Sequence, residues 1–263
     1  MAAEPPPDFA SLDAVCVRHA DAAGDFVVVC EHASNRLPAE FGTLGLPAGE
    51  LARHIAWDPG AVGVARRLAE LLDSPLVESC MSRLVIDCNR PLDAPDLVAE
   101  ISESTAIPGN QGLDAAARAR RVAMSHAPFH AALGDLLEAR LAAGRACNMV
   151  TVHSFTPVYR GVARPWQIGI IHDGDERLSR PLLAGLRSHG GLTVGDNQPY
   201  APADRVYYTL ERHARPRDLP CVMIEIRNNE IATSAEENRW AEMLAPLLLD
   251  AASSGEAMRA AAS

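Results

Sequence analysis

The chain has 263 residues, of which 48% are hydrophobic and 22% charged, so one large α/β domain with a buried core can account for it. A formal net charge of −10 disfavours binding to a nucleic-acid backbone or an anionic membrane, while still permitting an arginine-lined pocket for a small anion. All 24 basic residues are arginines. Catalysis through a lysine Schiff base, a phosphate-loop lysine or a lysine general base is therefore excluded.

The six cysteines show no CxxC pair and no regular spacing, and several lie in apolar, strand-like runs. Free cysteine in such a run behaves as a small hydrophobic residue. We find no secretory signal at the N-terminus and no apolar run long enough to span a bilayer. The sequence therefore predicts a cytoplasmic protein with free thiols and no membrane contact.

The first half of the chain alternates strand and helix patterns. Residues 1–24 are rich in Pro and Ala and predict an irregular lead-in to one domain over residues 25–251. "DFVVVCEHASNRLP" predicts a strand buried on both faces, and "PGAVGVARRLAELLD" an amphipathic helix. "SPLVES" and "RLVIDCNRP" predict two short strands. Residues 92–113 have no clear period and predict a long surface loop of the kind that often serves as a lid.

The second half continues the alternation. "LDAAARARRVAMSHAPFHAALGDLLEARLAAG" predicts a helix interrupted at Pro128 and capped at Gly144. The strands "NMVTVHS" and "WQIGIIH", a helix, and the strand "PCVMIEIRNN" follow. A helix beginning at Ser234 closes the domain, with residues 252–263 as a frayed tail. The whole pattern predicts a doubly wound α/β fold, a three-layer sandwich around a mostly parallel, mixed sheet.

Four predicted strands end in polar residues that can carry chemistry. In a parallel sheet, ligands bind beyond the carboxyl ends of the strands, so residues from distant parts of the chain converge there. A single histidine at a strand end is more often a hydrogen-bonded core residue, but four such ends favour a reaction centre. The candidates from these four ends are Glu31, His32, Asn35, Asp87, Asn89, Arg90, His153, Ser154, Glu225 and Arg227.

These residue types fit a metal-assisted hydrolase best. Two imidazoles and a carboxylate or amide oxygen make a three-ligand zinc site with one open position, and a further carboxylate can act as general base toward water. Arginine binds a small carboxylate or a developing oxyanion. A serine nucleophile is less well supported, because His153 and Ser154 are neighbours on opposite strand faces and no GxSxG motif occurs.

Six motifs together resemble the N-formylglutamate amidohydrolase family over about residues 26–250. They are, in chain order, "VVCEHASNRLP", "AWDPGA", "SRLVIDCNRP", "VTVHSFTP", "VGDNQPYAP" and "VMIEIRNN". More distantly, their order is similar to that in zinc carboxypeptidases and aspartoacylase-like enzymes. This resemblance implies a phosphorylase/hydrolase-like, zinc-exopeptidase-like fold and a divalent metal, zinc in the first instance, with cobalt or manganese as alternatives.

The resemblance also implies roles for individual residues. His32 and His153 would bind the metal, Asn89 and Arg90 the substrate, and Glu225 would act as general base and then general acid. Arg227 would bind a carboxylate or support the site. One departure is that the carboxypeptidase pattern His-x-x-Glu is replaced here by His32-Ala-Ser-Asn35. Asp58 or Glu31 would then replace the missing carboxylate, and we favour Asp58.

The complete set of predicted site residues has three parts. The catalytic residues are Glu225, His153 and Arg90; the substrate-binding residues are Arg83, Asn89, Arg90, Arg227 and Asn197; the metal ligands are His32, His153 and Asp58. Arg83 comes from the motif "SRLVIDCNRP" and Asn197 from the turn-rich "GDNQPYAP".

The implied reaction is hydrolysis of N-formylglutamate, or of another small anionic N-acyl amino acid, to formate and the free amino acid in histidine degradation. The competing hypotheses are a deacylase or carboxypeptidase-like metallohydrolase of other specificity and an inactive binding protein on the same fold. Asn35 in place of the expected carboxylate motivates the last of these. Bound metal, and formate rather than acetate as the product, would separate the three.

Overall fold

The computed structural model describes residues 13–262, with side chains described up to residue 254. Its strands are β1 (Val15–Arg18), β2 (Phe26–Cys30), β3 (Leu76–Ser79), β4 (Ile101–Ser102), β5 (Thr105–Ala106), β6 (Asn148–Phe155), β7 (Val158–Tyr159), β8 (Val162–Ala163), β9 (Ile168–Ile171), β10 (Val194–Asp196) and β11 (Cys221–Arg227). Its α-helices are α1 (Ala61–Leu71), α2 (Ala115–Arg121), α3 (Ala127–Ala142), α4 (Ser179–Ser188), α5 (Tyr208–His213) and α6 (Ser234–Ala262).

Seven strands form one sheet in the order β1-β3-β2-β6-β11-β9-β10. The four central strands β3, β2, β6 and β11 run parallel, while β1 and β9 are antiparallel to their neighbours β3 and β11. The strand runs are apolar on both faces because helices cover both sides of the sheet. The predicted three-layer α/β sandwich around a mostly parallel, mixed sheet is confirmed.

Alternating side chains of the strands divide the core into two layers. Phe26 and Val28 of β2 face α1, α4 and α6, whereas Val27 and Val29 face α3 and α5. In β6, Val150 and Val152 belong to the first layer and Met149 to the second. By the same alternation, His153 lies on the side of the sheet covered by α3 and α5.

The segment "RLVIDCNRP" is not the strand that its apolar run predicts. Leu84, Val85 and Ile86 are buried in two small clusters beneath the 92–113 segment. The carbonyls of Leu84 and Val85 accept hydrogen bonds from the buried guanidinium of Arg121 instead of pairing with a strand. Backbone groups satisfied by a side chain need no neighbouring strand, so the same apolar content folds as an irregular segment.

Three further predictions differ from the structure at element ends. Residues 1–12 of the predicted lead-in lie outside the described part of the chain, and β1 forms within the remainder. The helix around Pro128 is not interrupted but passes through a π-turn, Val122–His126, because a proline ring displaces the carbonyl four residues earlier. Helix α6 continues to Ala262 where a frayed tail is predicted.

The predicted 92–113 loop contains the short hairpin β4–β5, and a second hairpin, β7–β8, follows β6. Both hairpins lie at the end of the sheet where the parallel strands terminate, beside the cavity described below. Among the helices of the described residues, none is long and apolar enough to cross a membrane.

Candidate metal centre

Three buried side chains from separate parts of the chain converge at the carboxyl ends of the central strands. His32 follows β2, Asp58 precedes α1, and His153 lies near the end of β6; each is at most 3% exposed. Asp58 is brought here by its backbone N–H, which donates to the carbonyl of His32 (3.0 Å), and by Gly60, whose positive φ of 81° turns the chain into α1.

The three side chains have the geometry of a metal-ligand set. The Oδ2 atom of Asp58 lies 3.2 Å from Nδ1 of His32 and 2.8 Å from Nδ1 of His153, and all three ligand atoms lie within 4.8 Å of one another. Ligands at 2.0–2.2 Å around a tetrahedral zinc ion are about 3.3–3.6 Å apart. The two distances from Asp58 are shorter than this range, so Asp58 would move slightly away from the histidines around such an ion.

The other ring nitrogen of each histidine also faces a buried carboxylate. Nε2 of His32 lies 2.8 Å from Oδ1 of Asp87, and Nε2 of His153 lies 3.0 Å from Oε2 of Glu31, though out of line for a hydrogen bond. At His32, the Asp87 carboxylate can hold the proton on Nε2 and leave the Nδ1 lone pair free for a metal, while at His153 Glu31 places a negative charge beside Nε2. Both histidines therefore have the surroundings of metal ligands, with Glu31 behind His153 rather than beside Asp58.

Burial and charge set the ionisation of the carboxylates around the histidines. Burial alone would raise the pKa values of Asp58, Asp87 and Glu31, but nearby positive groups lower all three below their ordinary values. For Asp58 and Glu31 these groups are the histidines, and for Asp87 the largest contribution comes from Arg83. The three carboxylates are therefore anionic at neutral pH.

Glu225 differs from these carboxylates because burial determines its pKa. It lies opposite His153 in the parallel pairing of β11 with β6 and is 5% exposed. Burial, together with the negative charge of Asp58, raises its pKa to about 7. Its Oε2 atom has no hydrogen-bond partner among the described residues. A carboxyl group with such a pKa can both accept and donate a proton near neutral pH.

Arg83, Asn89 and Arg90, the predicted substrate-binding residues, line the same cavity, but most of their donors bind protein groups. Arg83 bridges Asp58 (3.3 Å) and Asp87 (2.5 Å). The side-chain amide of Asn89 joins the Val206 carbonyl to the Thr209 N–H in the segment leading into α5. Arg90 donates from Nε to Asp96 (2.9 Å) and from Nη1 to the Asn89 carbonyl (3.1 Å).

The turn-rich stretch "GDNQPYAP" contributes a different residue to the cavity from the one predicted. Asn197 accepts the backbone N–H of His172 (2.9 Å), whereas Tyr200 lines the cavity. The carbonyl of Gln198 packs so closely on Gly169 of β9 that a Cβ there would lie 1.9 Å from it. Burial, with the negative charge of Glu225 nearby, raises the pKa of Tyr200 to about 12, so its hydroxyl stays protonated.

Two other sequence candidates lie outside the group of converging side chains. Arg227 binds Glu230 (2.7 Å), Asn229 and the Arg164 carbonyl. Asn35 donates to the Leu51 carbonyl (3.0 Å). Of the three partners left open for the histidines, Asp58 is the one between them.

The site opens into a cavity of about 330 Å³. Its wall is completed by residues 96–103 from the β4–β5 side and by Tyr159 and Arg160 of the β7–β8 hairpin. Sequence patterns gave no role to Tyr159 or Arg160, although they directly follow the motif "VTVHSFTP". Their position just after a site-bearing strand is the signal that could have identified them.

Comparison with known proteins identifies a family model that matches the sequence and solved structures that resemble the fold. The model of the N-formylglutamate amidohydrolase family matches residues 24–232. The crystal structure of a gene product from Agrobacterium tumefaciens is 48% identical to the chain, with a TM-score of 0.90 over 92% of this chain and 96% of that one. A search of curated proteins gives no match.

A more distant structure has the same fold. The N-formylglutamate amidohydrolase from Ralstonia eutropha JMP134 is 19% identical, with a TM-score of 0.63 over 94% of this chain and 98% of that one. An identity this low supports the fold alone. Because the family model spans well over half of the sequence, the chain belongs to the N-formylglutamate amidohydrolase family and is an amidohydrolase.

Proposed function

We propose that the protein hydrolyses N-formylglutamate, or a similar small anionic N-acyl amino acid, to formate and the free amino acid. The observation that carries the proposal is the pairing of a His32–Asp58–His153 ligand set with Glu225, the carboxyl group on the next strand whose pKa is about 7. Turnover of N-formylglutamate would assign the reaction to histidine degradation.

The metal would be held by Nδ1 of His32, Nδ1 of His153 and a carboxylate oxygen of Asp58. Two imidazoles and one carboxylate are the ligand types of catalytic zinc, and cobalt or manganese could substitute. When bound, the cation would supply Lewis-acid chemistry, activating water and polarising the amide carbonyl. Arg83 would keep Asp58 and Asp87 in place through its two ion pairs.

Glu225 would move the proton in both halves of the reaction. As a base it takes a proton from the attacking water, and as an acid it gives that proton to the amide nitrogen when the C–N bond breaks. The products are formate and the free amino acid, whose amino group is the former amide nitrogen. A pKa near 7 suits both directions, because neither protonation state is strongly disfavoured at neutral pH.

The substrate carboxylate would be bound on the side of the cavity formed by Arg90. Its Nε and Nη1 atoms donate to protein groups, and no protein acceptor is found for Nη2 among the described residues. Asn89 would hold the segment that carries Arg90 against α5 through its two hydrogen bonds. The hydroxyl of Tyr200 would offer a further donor on the opposite wall.

The proposal is tested by measuring formate release from N-formyl-L-glutamate by protein first stripped of metal and then supplied with zinc, cobalt or manganese. We expect activity to depend on the added metal. Release of acetate from N-acetyl amino acids at a comparable rate would indicate a broader deacylase, and absence of both activities with every metal would contradict the proposal.

The Glu225→Gln variant tests the general base. Glutamine keeps the size of the side chain but cannot accept the proton, so we expect kcat to fall by about 10²–10⁴-fold while metal content stays unchanged. The control is Glu138→Gln, an exposed position on α3. A wild-type rate in Glu225→Gln would remove Glu225 from the mechanism.

A further inference from the structure

The arginines that line the cavity differ in their partners. Among the described residues there are three, Arg83, Arg90 and Arg160. Arg83 is bound to Asp58 and Asp87, and Arg90 is bound to Asp96. Arg160, at the tip of the β7–β8 hairpin, has no carboxylate within ion-pair distance in the part of the chain whose side chains are described. Its guanidinium instead lies 5.3 Å from the ring centre of Tyr159.

The hairpin that carries Arg160 is packed against the rest of the protein. Beneath the hairpin, Arg164 is 9% exposed and lies between two aromatic rings, 4.5 Å from the centre of Tyr159 and 4.8 Å from that of Tyr200. Arg164 also donates a hydrogen bond to the Tyr200 hydroxyl (3.1 Å). These contacts pack the hairpin against Tyr200 of the cavity wall, and Arg160, at the tip of the hairpin, lines the same cavity.

The backbone at the hairpin tip is unusual for an arginine. Val158 pairs with Ala163 and Tyr159 with Val162, leaving Arg160 and Gly161 as a two-residue turn with φ values of 49° and 79°. Such a turn favours Asn, Asp or Gly at its first position, and a long side chain at positive φ is uncommon. The turn therefore carries a long cationic side chain at a position where the backbone geometry does not call for one.

We infer that Arg160 binds the side-chain carboxylate of the substrate and thereby selects acidic N-acyl amino acids over neutral ones. The inference rests on the proposed function. The α-carboxylate of such a substrate adjoins the scissile amide and would meet Arg90 deep in the cavity. A second carboxylate, at the far end of a two-methylene side chain, would extend toward the opening of the cavity. There it would meet Arg160, which has no carboxylate partner among the described side chains.

The test compares N-formyl-L-glutamate with N-formyl-L-glutamine, which has nearly the same shape and lacks the side-chain charge. The variant is Arg160→Asn, because asparagine tolerates positive φ and should preserve the turn. Arg160→Lys keeps the charge, and Arg239→Gln removes an exposed arginine on α6 as the matched control.

In Arg160→Asn we expect KM for N-formyl-L-glutamate to rise about tenfold, as for loss of one charge-assisted hydrogen bond, with kcat within about twofold of wild type. KM for N-formyl-L-glutamine should not change, Arg160→Lys should recover most of the loss, and Arg239→Gln should behave as wild type. An unchanged ratio of the two kcat/KM values in Arg160→Asn would overturn the inference.

A binding measurement keeps the inference testable if the proposed function fails. Should the wild-type protein hydrolyse neither substrate, calorimetric titration with L-glutamate and L-glutamine still compares a charged with an uncharged side chain. Weaker binding of glutamate alone in Arg160→Asn would support the role of Arg160. Equal binding of glutamate by the variant and the wild type would reject it.

Discussion

The molecule buries two groups of histidines close to the same end of its sheet, and their surroundings are opposite. His32 and His153 are enclosed by the carboxylates of Asp58, Asp87 and Glu31. The second group packs behind the Asp87–Arg90 segment and consists of His126, His130 and His213. Its polar contacts are backbone carbonyls and other histidines: His126 to the Arg90 carbonyl (3.0 Å), His130 to the Cys88 carbonyl (2.9 Å) and His130 to His213 (2.9 Å).

The difference shows that partners, not burial, distinguish a candidate ligand histidine from a structural one. Neighbouring carboxylates raise the pKa of His153 well above its ordinary value, although burial opposes them. Burial without a carboxylate contact lowers the pKa of His130 to about 2 and that of His213 to about 4. The first environment suits a cation, whether proton or metal, whereas the second excludes one.

Matched glutamine substitutions should give the largest difference between the two histidine groups. His153→Gln removes one of three proposed ligands, so we expect metal affinity to fall by about 10³-fold. His130→Gln keeps a donor for the Cys88 carbonyl and should bind metal as the wild type does. Competition with a chelator measures both affinities, and circular dichroism confirms that both variants are folded. Equal affinities would return His153 to the structural group.

A smaller effect is expected at Glu31, which distinguishes the two groups without being a proposed ligand. Glu31→Gln removes the negative charge behind Nε2 of His153 and should lower metal affinity by about 10–100-fold. The exposed Glu138→Gln again serves as control. If Glu31→Gln bound metal as tightly as the wild type, the carboxylate would have no part in orienting or charging His153.

Sequence patterns predicted the parts of the fold that depend on local order. The apolar runs of β2, β6 and β11 are long enough to identify buried strands. Of the polar residues near their ends, His32, His153 and Glu225 converge on one cavity, whereas Asn35 and Arg227 do not. The pattern failed at "RLVIDCNRP", because the carbonyls of Leu84 and Val85 are satisfied by Arg121, more than thirty residues away. No local signal records such a contact.

The same limit applies to the candidate site. Residue types at strand ends were enough to nominate His32, His153 and Glu225, but the preference for Asp58 over Glu31 and Asn35 had no support from the strand pattern. That choice depends on how the segment before α1 folds back onto β2. Asp58 lies beside Nδ1 of His153 and Glu31 beside Nε2, and this difference is a property of tertiary packing.

The pH dependence of stability should also distinguish the two histidine groups. His130 and His213 are neutral in the folded protein, with pKa values of about 2 and about 4, but would titrate near 6.5 when unfolded. Below pH 6.5 the unfolded chain binds more protons, so stability is present above this pH and is lost as pH falls.

Between pH 6.5 and 5 the free energy of unfolding falls by about 1.5 kcal/mol for each histidine. His130→Gln should show a shallower decline than the wild type in urea titrations over this range, since it removes one of the histidines of this group that are buried in the neutral form. The Asp58 and Asp87 carboxylates add their own acid sensitivity only at lower pH, because their pKa values lie below the ordinary range. Identical slopes in wild type and variant would mean that His130 is not buried in its neutral form, and the distinction between the two groups would then rest on geometry alone.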